Sequence, residues 1–487
     1  MHFISIDLGT TNVKVCVFDK NLDIIATGSK AVEYISDNER IEFSALRYFD
    51  DLIDLIRGCL AKTGKTEISR IVLTGQAESL VALDNDGAPL MNAISWMDAR
   101  SARQCEEIKK IFDHETCYKT TGNPEMITTW PITKILWLKQ QLPEVFQRVS
   151  KYVMLKDYII YRLTGVLSGE YSIYNFTHYF DITSKEYWND ILEYVGISRA
   201  QLPELIEPCT DVGPVLPEIA RELDVTGELL VNAGTLDHFA SMIGTGNIRS
   251  GQISETTGTV MTLATLIEKP IFSSPPVGCH VGPFSDHYVM LAVCEGGGIN
   301  LEWYKNQFLP GIDYNELNSI LADRKIHPKL LYLPYISGVS APDYDAGARG
   351  VFSGLEAHMD KYDMALAIME GVAHQVERNI RYFNNLGIQS DSITSTGGGA
   401  RSEIWNQLKA DISNIRIAVP ENEEAACLGA AMIGAVKAGV FSGYDDAVSL
   451  CVKIKKTFKP LNHDEMAKKH ELFDLLYEQM KKVFIGG

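Results

Sequence analysis

Two short segments of this chain have the residue types needed to hold phosphate. Ile4-Ser5-Ile6-Asp7-Leu8-Gly9-Thr10-Thr11-Asn12-Val13-Lys14 and Ser254-Glu255-Thr256-Thr257-Gly258-Thr259-Val260 each read as a strand closed by a Gly-Thr turn. Glycine lets a backbone approach a ligand closely, and turn N–H groups and threonine hydroxyls can donate to phosphate oxygens. Two such turns facing each other could hold a triphosphate. Gly-Thr pairs also occur in ordinary β-turns. Context favours a ligand, because each copy opens one half of the chain and Gly397-Gly398-Gly399-Ala400-Arg401 follows in the second half. A third segment, Asn232 to Ala240, leaves a strand, turns through Gly234 and enters a helix at Asp237. That aspartate reads either as a helix N-cap or as a carboxylate at a strand end, poised to accept a hydroxyl proton.

The elements that must carry these turns follow an α/β order. Strands are expected at Phe3–Asp7, Val13–Asp19 and Ile24–Ala26, then a helix at Tyr48–Thr63 and a buried strand at Ile68–Leu73. Residues 99–165 read as mostly helical, and Leu202–Thr226 as a Pro- and Gly-spaced connection to a strand at Leu229–Asn232. The order restarts with a strand at Gln252–Glu255, helices over Tyr362–Leu386, a strand at Ser392–Thr396 and a helix over Ser402–Ser413. The halves share an order of elements rather than residue identities, and the expected boundary separates 1–246 from 247–487. His463–Phe484 reads as an amphipathic packing helix.

The chain has 487 residues, a formal net charge of −18 and 46% hydrophobic residues. That balance describes a globular protein of two large domains and argues against a generic nucleic-acid or anionic-membrane surface. With no long apolar run and no basic leader, the cytoplasm is the expected compartment. Nine scattered cysteines without a CxxC pair read as reduced packing thiols, and Cys279, His280 and His287 are too few for a zinc site.

Longer motifs resemble the FGGY family of carbohydrate kinases over almost the whole chain. Gly350-Val351-Phe352-Ser353-Gly354-Leu355, then Asp363-Met364 and Ala367-Ile368-Met369-Glu370, fits one family signature. Pro131-Ile132-Thr133-Lys134-Ile135-Leu136-Trp137-Leu138-Lys139-Gln140-Gln141 fits the other from its proline onward and departs at Thr129. Trp96-Met97-Asp98-Ala99-Arg100, Leu155-Lys156-Asp157-Tyr158 and Leu333-Pro334-Tyr335-Ile336-Ser337-Gly338 are similar to xylulose kinases.

The resemblance implies two actin-like (ribonuclease-H-like) domains, each built on a five-stranded mixed sheet, with the active site between them. It implies Asp237 as catalytic base, Asp7 as the carboxylate near Mg²⁺, and Gly9, Thr10, Thr11 and Lys14 as the first phosphate turn. Gly258 and Thr259 match the second turn, and Gly397, Gly398, Gly399 and Ala400 the adenosine segment. The sugar pocket would draw on Gln76, Ala77, Glu78, Trp96, Asp237 and His238. Here Gly75-Gln76-Ala77-Glu78-Ser79 departs from the Gln-Met-His of xylulose kinases and from the Gln-Arg-Glu of glycerol kinases. The expected reaction is ATP-dependent phosphorylation of a small sugar, a ketose such as xylulose ahead of a polyol such as glycerol or erythritol. The alternative from another class is an actin-like ATPase without a sugar. Homodimer formation is compatible with either.

Overall fold

The computed structural model describes residues 1–64, 67–284 and 286–484. His2–Leu8 pairs antiparallel with Asn12–Phe18, which pairs antiparallel with Ile24–Ala31. On its other side His2–Leu8 pairs parallel with Ile68–Gly75, followed by parallel Leu230–Leu236 and antiparallel Asp211–Pro214. The second half repeats this order. Ile253–Thr257 pairs antiparallel with Met261–Ile267 and parallel with Ser392–Thr396, and Arg416–Pro420 and Ile454–Phe458 continue the sheet. The repeat is therefore one of hydrogen-bonding topology.

Neither sheet stops at five strands. The first has six and the second seven, because Asp211–Pro214 closes one edge, Ile454–Phe458 closes the other sheet's edge, and Gly278–Val281 extends beyond Tyr288–Cys294. Asp211–Pro214 lies inside the stretch read as a connection. Its proline is tolerated because an edge strand needs no donor on its outer side.

Residues of His2–Leu8 and Asn12–Phe18 are buried on both faces, which is why these strands read as nearly continuous apolar runs. Ile4, Ile6 and Leu8 pack toward the helix Ala45–Thr63, through Leu52, Ile53 and Ile56. Phe3, Cys16 and Phe18 point the other way, onto Ala425–Lys437. This last helix belongs to the second half of the chain yet packs on the first sheet. It crosses Asp237–Gly244 at backbone contact: a Cβ on Gly429 would lie 1.8 Å from the Ala240 carbonyl, and one on Gly244 1.9 Å from that of Ala425.

A third sheet joins Ile35–Asp37, Arg40–Phe43, Ala93–Ile94, Leu80–Leu83 and Lys151–Met154. The region read as mostly helical thus contains a strand, Lys151–Met154, among its helices. His463–Phe484 packs as expected, burying Met466, Phe473 and Tyr477. Among the described residues no helix is long and apolar enough to cross a membrane. All nine cysteines are free.

Candidate active site

The first Gly-Thr turn joins two antiparallel strands at the carboxyl end of His2–Leu8, and its carbonyls are committed to the fold. The Leu8 carbonyl accepts from the Gln76 N–H at 3.1 Å, that of Thr10 from the Tyr34 hydroxyl at 2.8 Å, and that of Thr11 from the Val32 N–H at 2.9 Å. Gly9 O accepts at longer range from Tyr48 Oη and Gln76 Nε2. An anion arriving at the turn therefore meets no unsatisfied carbonyl among these. Gly9 is also required by the turn itself, since a Cβ there would lie 2.6 Å from the Asn12 carbonyl. The Trp96 indole N–H donates to Thr10 Oγ1 at 2.9 Å, which leaves the threonine proton for a further acceptor. Thr11 is exposed. Lys14 reaches across to the second half and pairs with Glu424.

Asp7 lies at the base of this turn with Oδ1 buried and without a hydrogen-bond partner. Burial, with the negative charge of Asp237 nearby, pushes its carboxyl up to about 7, while Lys14 pulls it down. A buried acceptor left open beside a second carboxylate suits a cation.

Asp237 opens the helix Asp237–Gly244 directly after the strand Leu230–Leu236. The residue at the N-cap is Leu236, so the N-cap reading of Asp237 does not hold. Its Oδ1 accepts from the N–H of the next residue, His238, at 2.6 Å. The strand is bulged just before it: pairing with Ile68–Gly75 skips register between Asn232 and Thr235, and Gly234 has φ +58°. A bulge at this place re-aims the side chains beyond it.

Glu78, like Asp7, lies within reach of the Asp237 charge. It sits at φ +65° with the Ser79 N–H donating to the Ala77 carbonyl at 2.8 Å, a tight turn that an L-residue enters at a conformational cost. Burial raises its carboxyl to about 8, against the pull of Lys134 and with a further push from Asp237. Lys134 is fully buried, donates to the carbonyls of Ser95 at 2.8 Å and Thr129 at 3.0 Å, and is itself depressed to about 7 by burial.

Of the other pocket residues, His238 is half-buried. Gln76 is largely consumed by the scaffold, its carbonyl accepting from Ser79 Oγ at 2.8 Å. Ala77, placed in the sugar pocket by the resemblance, is 2% exposed and packs in the core.

A carboxyl whose folded-state value lies above the ordinary one contributes stability that is complete below about 4.5 and lost as pH rises through about 8. Glu78→Gln is expected to remove that loss. Melting temperatures of variant and wild type should coincide at pH 4 and separate by pH 9, with the variant higher; parallel curves would show that Glu78 is not buried in this way.

Two cavities meet at Gly398, and the second turn lines one of them. One, of about 550 Å³, is bounded by Gly258, Thr259, Tyr314, Leu317, Met369 and Gly398. The other, about 430 Å³, lies between Lys14 of the first half and Gly397, Gly398, Ala400 and Glu421–Glu424 of the second. The three glycines of 397–399 divide by role. A Cβ on Gly397 would come 2.8 Å from Thr257 O and one on Gly399 2.7 Å from Thr257 Cβ, whereas one on Gly398 would meet nothing within 4 Å. Gly397 and Gly399 serve the strand crossing, and Gly398 opens on the cavities. Ala400 is 8% exposed. Beneath the turn, buried Glu255 accepts from Lys409 Nζ at 2.8 Å and from the hydroxyls of Ser395 and Thr257.

Several contributors were not anticipated. Gly296-Gly297-Gly298 buttresses the second turn: the N–H groups of Gly298 and Ile299 donate to the carbonyls of Gly258 at 2.8 Å and Thr259 at 3.1 Å. A run of three glycines after a strand was a signal available in the sequence. Tyr34, Tyr48 and Glu424 act from distant segments and leave no such mark.

The description of the FGGY family of carbohydrate kinases, N-terminal domain, matches residues 2–244, and that of its C-terminal domain residues 253–438. A xylulose kinase from Staphylococcus epidermidis is 30% identical over 488 residues, covering 99% of this chain and 97% of that protein. A gluconokinase from Bacillus subtilis is 28% identical over 489 residues, covering 96% and 93%. The crystal structure of a ligand-bound xylulose kinase from Lactobacillus acidophilus superposes with a TM-score of 0.91 at 27% identity, covering 99% of this chain and 98% of that one.

Proposed function

The chain belongs to the FGGY family of carbohydrate kinases and is a carbohydrate kinase, and from that premise we propose that it transfers the γ-phosphoryl group of ATP to a hydroxyl of a small neutral ketose such as xylulose. The observation that carries this reading is the convergence of Asp7, Glu78 and Asp237 beside the first turn: Asp7 offers a buried, unpartnered Oδ1, Asp237 stands at the strand end, and the charge of Asp237 raises the carboxyls of both Asp7 and Glu78.

Phosphoryl transfer asks the protein mainly for position and charge control. We assign the polyphosphate to the space between Gly9-Thr10-Thr11 and Gly258-Thr259, and the adenosine to the cavity of about 550 Å³ beside Gly398. Lys14, already turned toward the second half, would exchange Glu424 for phosphate. Asp237 accepts the sugar hydroxyl's proton as the bond to phosphorus forms. Asp7 fits a magnesium ion through its open Oδ1; the chemistry Mg²⁺ supplies there is neutralisation of phosphate charge. We take 1–246 as the lobe for the sugar and base and 247–487 as the nucleotide lobe, with the helix Ala425–Lys437 reaching onto the first. A reducing compartment accords with nine free thiols, eight of them buried, and we place the enzyme in the cytoplasm.

Glu78 supports a neutral sugar over an aldonate, the substrate type of the gluconokinase relative. The basic group acting on it, Lys134, is fully buried and gives two of its three donors to backbone carbonyls, which disfavours its pairing with a substrate carboxylate. A coupled-enzyme screen with ATP and Mg²⁺ over ketopentoses, ketohexoses, tetroses, polyols and gluconate tests the proposal. A ketose is expected to give the highest kcat/KM, and gluconate in that place would overturn it.

The nucleotide assignment has its own test. Gly398→Val and Gly258→Val place side chains in open space, where a Cβ meets nothing within 4 Å or only the Val260 carbonyl at 3.7 Å. Both variants are expected to fold with wild-type melting temperature and to lose ATP affinity by roughly tenfold or more, each bulky group displacing ligand contacts. Calorimetry giving wild-type ATP affinity in either would move the nucleotide elsewhere. Gly399→Val, which drives a side chain into Thr257, should instead lower the melting temperature.

A further inference from the structure

The strand end that bears Asp237 is not fixed by ladder register alone. The bulge between Asn232 and Thr235 interrupts pairing with Ile68–Gly75, and Gly234 can make it only because it lacks a Cβ, which would lie 1.8 Å from the Leu73 carbonyl. Beyond the bulge, residues 235 and 236 are gripped by a side chain from another segment. Ser172 Oγ accepts from the Leu236 N–H at 2.9 Å, lies 2.8 Å from Thr235 Oγ1, and donates to Glu170 Oε1 at 2.8 Å. Glu170 also accepts the Ser172 N–H at 2.6 Å. It is in turn held by Lys156 Nζ at 2.6 Å, in an ion pair whose side chains are 0% and 1% exposed.

The directions of these hydrogen bonds are determined. A carboxylate paired with a lysine has no proton to give, so the serine hydroxyl must donate to Glu170. Its two lone pairs then take the Leu236 N–H and the Thr235 hydroxyl, and Ser172 is saturated. From the opposite side Thr74 Oγ1 donates to the Thr235 carbonyl at 2.8 Å. Residues 235 and 236 are thus clamped on both sides, one residue before Asp237.

We propose that Ser172, oriented by the buried Lys156–Glu170 pair, is the positioning residue that sets the direction in which Asp237 projects. The proposal rests on Asp237 being the base. A misplacement of the reacting group by a fraction of an ångström to an ångström slows catalysis without touching substrate contacts. Ser172→Ala is therefore expected to lower kcat by roughly 10- to 100-fold while KM for the sugar and ATP affinity stay within about twofold of wild type. Thr235→Val, which keeps the side-chain shape and removes one hydrogen bond, should lower kcat by a smaller factor.

A double-mutant cycle separates positioning from general support of the fold. If Ser172 acts through Asp237, adding Ser172→Ala to Asp237→Asn costs nothing further in single-turnover rate. The same relative loss in both backgrounds, or wild-type kcat in Ser172→Ala, overturns the proposal. Should Ser172→Ala fail to fold, Thr235→Val carries the same cycle, with no further loss in the Asp237→Asn background supporting the proposal and an equal loss in both overturning it. Full activity in Asp237→Asn itself overturns both this role and the assignment of the base, whereas a multiplicative loss overturns this role alone.

Discussion

Asp237→Asn is expected to give a folded protein that binds ATP normally and turns over at least ~100-fold more slowly, the low end for loss of a general base. Asparagine keeps the shape of the side chain and can still accept from the His238 N–H through its own oxygen, so the helix start is preserved. The substitution removes the charge that takes the sugar's proton. It also removes one of the charges that raise Asp7, so ATP affinity in the presence of Mg²⁺ should hold or tighten slightly. A variant retaining more than half of wild-type kcat would take Asp237 out of the mechanism. One that lost ATP binding in parallel would make Asp237 part of the nucleotide and metal site.

The chemistry of the cleft was legible where it depended on backbone. Gly9 and Gly258 stand at turns, and the strands that lead to them are buried on both faces, so residue type and run length announced them; Gly234, read as a turn after the strand, is instead a bulge inside a strand that runs on to Leu236. Side chains acting across the fold were not legible. Lys14 and Glu424 lie 410 positions apart. Lys134, Lys156 and Lys409 each occupy a helix, where a lysine is by default a solvated charge, yet all are at most 1% exposed and hold a strand end or loop of the site. The third sheet escaped because its strands are two to four residues long, too short to show alternation. It bears on the proposed sugar pocket, because Glu78 and Trp96 stand on the loops beside its strands.

Glu78→Ala is expected to lower kcat/KM for the true sugar by one decade or more while ATP affinity stays at its wild-type value. A buried acceptor or donor deprived of its partner costs roughly 1–3 kcal/mol, and more when charge is involved, which spans about one to several decades. Glu78 meets the conditions for the upper part of that range. Its side chain is half-buried, with desolvation pushing the carboxyl up to about 8, and the backbone beneath it is held at φ +65°, a conformation retained only where the surroundings enforce it. Near neutral pH the carboxyl is mostly protonated before substrate arrives, so it can donate to one sugar oxygen and accept from a hydroxyl, which a fixed carboxylate cannot do. Glu78→Gln retains both a donor and an acceptor and should recover most of the activity that alanine loses. If Glu78→Ala instead weakened ATP binding along with the sugar, the residue would belong to the floor of the phosphate turn. If neither parameter moved, substrate hydroxyls would be read elsewhere in the cleft, with His238 and Trp96 the next residues to test.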